Sequence, residues 1–250
     1  MLPDEHIARL ERDGALLASA AESAGWDAPV PATEWDVRSL VTHVGGVHRW
    51  AADVVRTRSA TLDTAAGVAV GTGPADDELL AWFVDGHRAL VETLRSAPAD
   101  LDCVTFLPAP SPLAFWARRQ AHETAIHRTD AQAAATIVED SARKPNTILH
   151  DRELAQDGIA EMLLGFAARR SNAIARAATL ALRPSDGDAW LLTFGGERIV
   201  AEKIEADADA SVRGTSSDIY LWLWNRPSDV HVTGDAAVAD LWRSVRVRWS

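Results

Sequence analysis

Three residues of this sequence have the types and the helical positions needed to hold a divalent cation. Within "FWARRQAHETAIHRTDA", Phe115 to Ala131, apolar residues recur at helical spacing while Glu123 and His127 stand four apart. Positions four apart on a helix differ by about 40° in direction, so the two side chains leave one face together. His122 lies five before His127, about 140° around the helix, and cannot share an ion with it. "HETAIH" superficially resembles the HExxH pattern of zinc proteases, but Ile126 stands where that pattern needs its second histidine. Alone, a Glu/His pair one turn apart is most often a solvated contact worth about 0.2–0.5 kcal/mol. A third candidate comes from "WDVRSLVTHVGGVHRWA", where His43 is flanked by Val41, Val44 and Val47. A histidine so placed reads either as a satisfied core residue or as a ligand turned toward a facing helix, and helix bundles build metal sites by the second route. Two histidines and a glutamate leave a coordination position open on zinc, and the same trio suits non-heme iron.

The elements that must carry these residues come from the periodicity. Ile7, Leu10, Leu16 and Leu17 predict a first amphipathic helix ending near Gly25. A second helix follows "DAPVPATEW", with Thr33 or Asp36 as its cap and Val37, Leu40, Val41, Val44 and Val47 on its apolar side. "TGPADDELLAWFVDGHRALVETLRSA" predicts a third, acidic at its start as the helix dipole favours. After "LPAPSP" a fourth begins near Pro112 or Leu113. Four helices with short to medium connections predict an antiparallel bundle.

"EDSARKPNTILHDREL" is polar, contains proline, and marks a boundary. Beyond it, a helix over 152–170 precedes strands in "ATLALRP", "AWLLTFGGERIVAEKIEA" and "VHVT", with Gly195-Gly196 as a hairpin turn. "SSDIYLWLWNRP" and "DAAVADLWRSV" predict helices. The expected fold is α+β in two domains: a four-helix bundle over 1–140 and a small α+β domain over 151–250.

Composition narrows the class of function. An apolar content of 47% over 250 residues supports a substantial core. A net charge of −11 argues against nucleic acid and anionic membranes as partners. The single cysteine, Cys103, rules out an intrachain disulfide and fits a reducing compartment, where it reads as a small packing residue. No basic and apolar leader opens the sequence, and no apolar run reaches the roughly 20 residues of a membrane span. A soluble cytoplasmic monomer or homodimer is expected. Among other polar residues, Arg119, one turn before Glu123, reads as a partner of Glu123 or of solvent, with a role near an anionic substrate as the alternative. His48, five from His43, reads as peripheral, and the Gly45-Gly46 pair before it as a site of close packing or of a kink. Trp116 reads as pocket mouth or core.

The two N-terminal motifs, "WDVRSLVTHVGGVHRWA" and "RRQAHETAIHRTDA", together resemble the N-terminal domain of mycothiol-dependent maleylpyruvate isomerases, DinB-like four-helix metal proteins. "VRGTSSDIYLWLWNRP" and "VHVTGDAAVADLW" are similar to the C-terminal domain joined to it in that family. The resemblance implies His43, Glu123 and His127 as ligands of zinc or a similar divalent ion, and mycothiol as thiol cosubstrate. It implies an arginine of the C-terminal domain that holds substrate carboxylates, with Arg226 of "WLWNR" the candidate and Arg213 the second. Asn225 departs from the glycine that often precedes this arginine. The implied reaction is cis-trans isomerisation of an unsaturated dicarboxylic acid such as maleylpyruvate. The thiolate is the reactive form of a thiol, and a cation with an open position favours it. The same site would serve a mycothiol S-transferase acting on another electrophile, and a metal-binding module without catalysis would keep the same ligands.

Overall fold

A computed structural model describes residues 1–31, 33–62, 72–139 and 149–245. The chain forms two compact units, Met1–Ile148 and Leu149–Ser250. Among the described residues, no helix is long and apolar enough to cross a membrane.

The first unit holds four helices. Helix α1, Pro3–Ala24, starts on a proline, whose missing N–H is no loss at that position, and stops at Gly25 with φ of 80°. Helix α2, Val37–Thr57, is capped by Asp36, whose carboxylate accepts from the Ser39 N–H at 2.8 Å. Thr33 closes the turn before it instead, donating to the Val30 carbonyl and accepting from the Trp35 N–H. Helix α3, Asp76–Arg95, carries Asp76, Asp77 and Glu78 in its first turn, and α4 is the 28-residue helix Pro112–Glu139.

The bundle is not the simple antiparallel one expected from the connections. His6 meets the edge of His122 and Asp13 lies 3.7 Å from Arg128, so α1 and α4 run parallel. Arg38 pairs with Asp76 and Arg49 bonds the Trp82 carbonyl, so α2 and α3 run parallel as well. The two pairs pack against each other antiparallel, through Glu11–Arg95 and Gly14–His87 on one side and His43–Glu123 and Trp50–Trp116 on the other. The residues 58–75 make this possible: a chain of that length, at up to about 3.3 Å per residue, returns easily along a helix of about 30 Å. At one end of the bundle, Leu17, Leu40, Val41, Val44, Leu79, Phe83, Ala131 and Ala134 form the core. The alanines of α4 bring its backbone close to its neighbours there.

The second unit begins with α5, Arg152–Glu161, capped by Asp151. It continues as a π-helical turn over Met162–Ala167 and a 3₁₀ turn over Arg170–Asn172, so the single helix expected over 152–170 is interrupted. Five strands follow: β1 Ala178–Pro184, β2 Trp190–Phe194, β3 Val200–Glu202, β4 Ala210–Gly214 and β5 His231–Gly234. Their order in the sheet is β3-β2-β1-β4-β5, with β1 and β4 parallel and the other pairs antiparallel. Helix α6, Ser216–Leu223, lies between β4 and β5 in sequence, and α7, Ala236–Asp240, follows β5 and leads into a 3₁₀ turn over Leu241–Ser244. Strand β4 escapes a reading by alternation because it is short and its Ala210, Ser211 and Val212 are all buried.

Candidate metal centre

The turn between α1 and α2 is the first part of the centre. A bridge between Pro29 and Asp36 and a hydrogen bond from the Val30 N–H to the Trp35 carbonyl fix the turn. Trp35 is thereby placed over two imidazoles, with ring centroids 4.8 Å from His43 and 5.8 Å from His127.

Those imidazoles come from antiparallel helices and converge on one carboxylate oxygen. His43 Nε2 on α2 lies 3.3 Å from Glu123 Oε1, and His127 Nε2 on α4 lies 3.3 Å from the same atom. One donor atom from each of the three residues lies within 4.8 Å of the others. The second oxygen of Glu123 accepts a 3.1 Å hydrogen bond from Arg119 Nη2, one turn earlier on α4. Behind His127, Nδ1 lies 3.0 Å from Asp130 Oδ2. The side chain of Glu123 is 4% exposed and that of His127 10%, against 25% for His43, so the centre opens on the His43 side.

The electrostatics bind these groups to one another. Burial opposes ionisation of Glu123, yet hydrogen bonds from His127 and His43 hold its carboxyl well below the usual range. Burial likewise opposes a charged His127, but its bonds to Asp130 and Glu123 carry it up to about 9. The donor set fits a divalent ion. Two ligands about 2.0–2.1 Å from a tetrahedral zinc stand about 3.3 Å apart, the spacing of each imidazole from Glu123 here. The outward-turned Nε2 atoms, each able to coordinate in the neutral ring, and a deprotonated carboxylate are the chemistry such an ion requires.

Residues 7–132 match the mycothiol maleylpyruvate isomerase N-terminal domain, and residues 153–241 match the C-terminal domain of the same family. The chain belongs to the mycothiol-dependent maleylpyruvate isomerase family. Two solved structures share its fold: the mycothiol-dependent maleylpyruvate isomerase, with a TM-score of 0.62, and a histidine-to-alanine mutant of it, at 0.64. Each is 14% identical, with 93% of both chains covered. Among curated proteins, none matches the chain by sequence.

Within this family's fold, other residues singled out by the sequence take definite places. Asn225 has φ of 55°, the left-handed conformation for which glycine is the usual residue and asparagine the common substitute. The departure from glycine therefore preserves the turn. Arg226 follows it with its N–H on the Leu221 carbonyl and Nη1 on the Trp224 carbonyl, 2.9 Å in each case. Arg213 lies on β4 opposite His231.

His48 is not peripheral. It is completely buried, with Nε2 2.8 Å from Thr124 Oγ1 and its ring against Phe83 and His87. Its partners belong to α3 and α4, so it lies in the bundle interior. Trp116 is buried too, donating from Nε1 to the Val104 carbonyl, so it belongs to the core. Two contributors escaped the sequence reading. Asp130 had a usable signal, an acid three residues after a candidate ligand histidine. Trp35 leads the segment that carries His43, but its place over the imidazoles depends on a turn that brings it back across α2.

Proposed function

We propose that this chain is a divalent-metal-dependent enzyme that uses mycothiol to isomerise an unsaturated dicarboxylic acid such as maleylpyruvate from cis to trans. The observation that carries the reading is the meeting of His43 and His127 on one oxygen of buried Glu123, in a chain of this family. His43, Glu123 and His127 hold the metal, for which zinc suits the donors. When bound, the ion supplies the charge that favours the thiolate form of an incoming thiol near neutral pH.

The chain's own groups do the rest. Asp130 keeps the proton of His127 on Nδ1, so that Nε2 faces the centre. Trp35 covers both imidazoles with an apolar face, which limits water there. Arg226 provides the planar, permanently charged group that pairs with a substrate carboxylate. The mycothiol sulfur adds to one carbon of the double bond, and the π electrons move toward the conjugated carbonyl. Rotation about the new single bond follows, and the C–S bond breaks to return the thiolate and the trans acid. Cys103 does not replace the external thiol, since burial pushes its pKa up.

The test is metal analysis of the purified protein together with turnover of maleylpyruvate in the presence of mycothiol. Metal bound but no isomerisation, with mycothiol transferred to another electrophile, would replace the isomerase by a transferase. Protein that binds no divalent ion would overturn the reading.

A further inference from the structure

We propose that Arg119 is a positioning residue that restricts Glu123 to a single ligand oxygen and so keeps a coordination position open for the thiol. The inference rests on the metal reading above and goes beyond it in assigning a role to the contact of Glu123 with Arg119, which involves no histidine of the centre.

The geometry divides the carboxylate between two tasks. Oε1 faces both His43 and His127 at 3.3 Å, while Oε2 accepts from Arg119 Nη2 at 3.1 Å. Because the two residues are four apart on α4, the helix itself holds the guanidinium against that oxygen. The Arg119 side chain is 0% exposed and that of Glu123 is 4% exposed. Burying a guanidinium is costly unless it is paired, so the pair is a fixed feature of the interior and not a surface contact that opens and closes. A carboxylate is able to bind a cation through one oxygen or two. With Oε2 engaged, only Oε1 is presented toward the imidazoles. The centre then has three single-atom ligands, the arrangement that leaves room for an exogenous ligand. Without Arg119 the carboxylate is at liberty to turn and offer both oxygens, which fills a position the thiol would use.

Cobalt(II) is the probe, because its visible bands report coordination number independently of turnover. The wild type, Arg119→Lys and Arg119→Met are loaded with Co²⁺ and their spectra recorded before and after a thiol is added. The expected result is an intense four-coordinate pattern that shifts with thiol in the wild type and in Arg119→Lys, which keeps a charged donor for Oε2. Arg119→Met should show the weaker bands of a higher coordination number and a diminished response to thiol. A wild-type spectrum in Arg119→Met overturns the role of Arg119 while leaving the metal centre standing. Failure of the wild type to bind Co²⁺ overturns both. Should Arg119→Met not fold, X-ray absorption on the zinc-loaded wild type decides: a carboxylate bound through one oxygen supports the proposal, and one bound through two overturns it.

Discussion

Asp130 stands behind His127 on α4, with Oδ2 3.0 Å from Nδ1 and only 2% of its side chain exposed. An acid three residues on reaches back along the helix to the ring nitrogen that points away from the centre. That contact holds the tilt of the imidazole and, in the neutral ring, favours the proton on Nδ1, so its loss should be felt at Nε2 without removing a ligand. Asp130→Asn is expected to weaken divalent-metal affinity by about 10–100-fold. Competition against a chromophoric chelator measures this, and unchanged affinity would reduce the contact to a packing detail.

The three proposed ligands give a sharper result. His43→Ala, Glu123→Ala and His127→Ala should each lose the ion, while His122→Ala should keep it, because removing one of three donors breaks the set and His122 lies off their face. Elemental analysis of the four purified variants checks this. Full occupancy in any of the first three would remove that residue from the centre.

Arg226→Lys tests the second unit. Lysine keeps the charge but loses the paired donors, and hydrogen bonds to charged groups are worth about 1.5–3 kcal/mol. The expected fall in kcat/KM for a dicarboxylate is therefore about 10–100-fold, with metal content unchanged. Wild-type kinetics would move the anchor elsewhere, with Arg213 the next residue to vary.

The legible part of this protein was the part that depends on local spacing. Glu123 and His127 could be set side by side from helical phase alone, and the tryptophan-led segment with its valines marked His43 as facing inward. Capping chemistry narrows the start of α2 to Thr33 or Asp36, of which Asp36 is the cap, and that of α4 to Pro112 or Leu113, of which Pro112 is the first residue. What spacing could not give was direction between helices. Parallel α2 and α3 are chosen by contacts such as Arg38–Asp76 and by a connection long enough to allow them. The same limit hid Trp35, and it misplaced His48, whose surroundings are made by α3 and α4 and not by its own helix. Strand β4 was invisible because burial on both faces removes alternation.

The Gly45-Gly46 pair was open between close packing and a kink, and at Gly45 the structure shows close packing. An added Cβ at Gly45 would come within 2.2 Å of the Trp82 ring, and one at Gly86 within 2.0 Å of the Arg49 guanidinium. Arg49 itself stacks over Trp82, 3.9 Å from the ring centroid. Gly45→Ala must push this stack aside, and overpacking of that kind costs about 1–3 kcal/mol. Thermal or urea unfolding should show the loss. An unaltered midpoint would mean that Trp82 swings away freely.

His48 supplies the pH prediction. Burial, then the neighbouring His87, drives its pKa well below the usual histidine value, and burial lowers His87 as well. Around the His48 ring stand Thr124, Phe83 and His87, with Glu123, His127 and Arg49 acting at longer range. Both rings therefore stay neutral in the folded protein at a pH where the unfolded chain protonates them. The unfolded state then binds more protons at these two sites, so they cost no stability above about pH 6.5 and an increasing amount as pH drops below it. His127, held up at about 9 when no metal is bound, is charged in the folded state throughout this range and largely charged in the unfolded one, so it adds only a small slope, and does so equally in both proteins. The stability Glu123 contributes is full above the ordinary carboxylate range and is lost only as pH falls below it, outside this window. His48→Gln keeps a side-chain partner for Thr124 but removes one titrating ring. Between about pH 6 and 5, its unfolding free energy should fall less steeply than the wild type's, by up to about 1.4 kcal/mol per pH unit. Urea unfolding of the metal-free proteins across this range measures the difference. Parallel curves would show that His48 takes up its proton in the folded state, and that the interior around Thr124 is wetter than its burial implies.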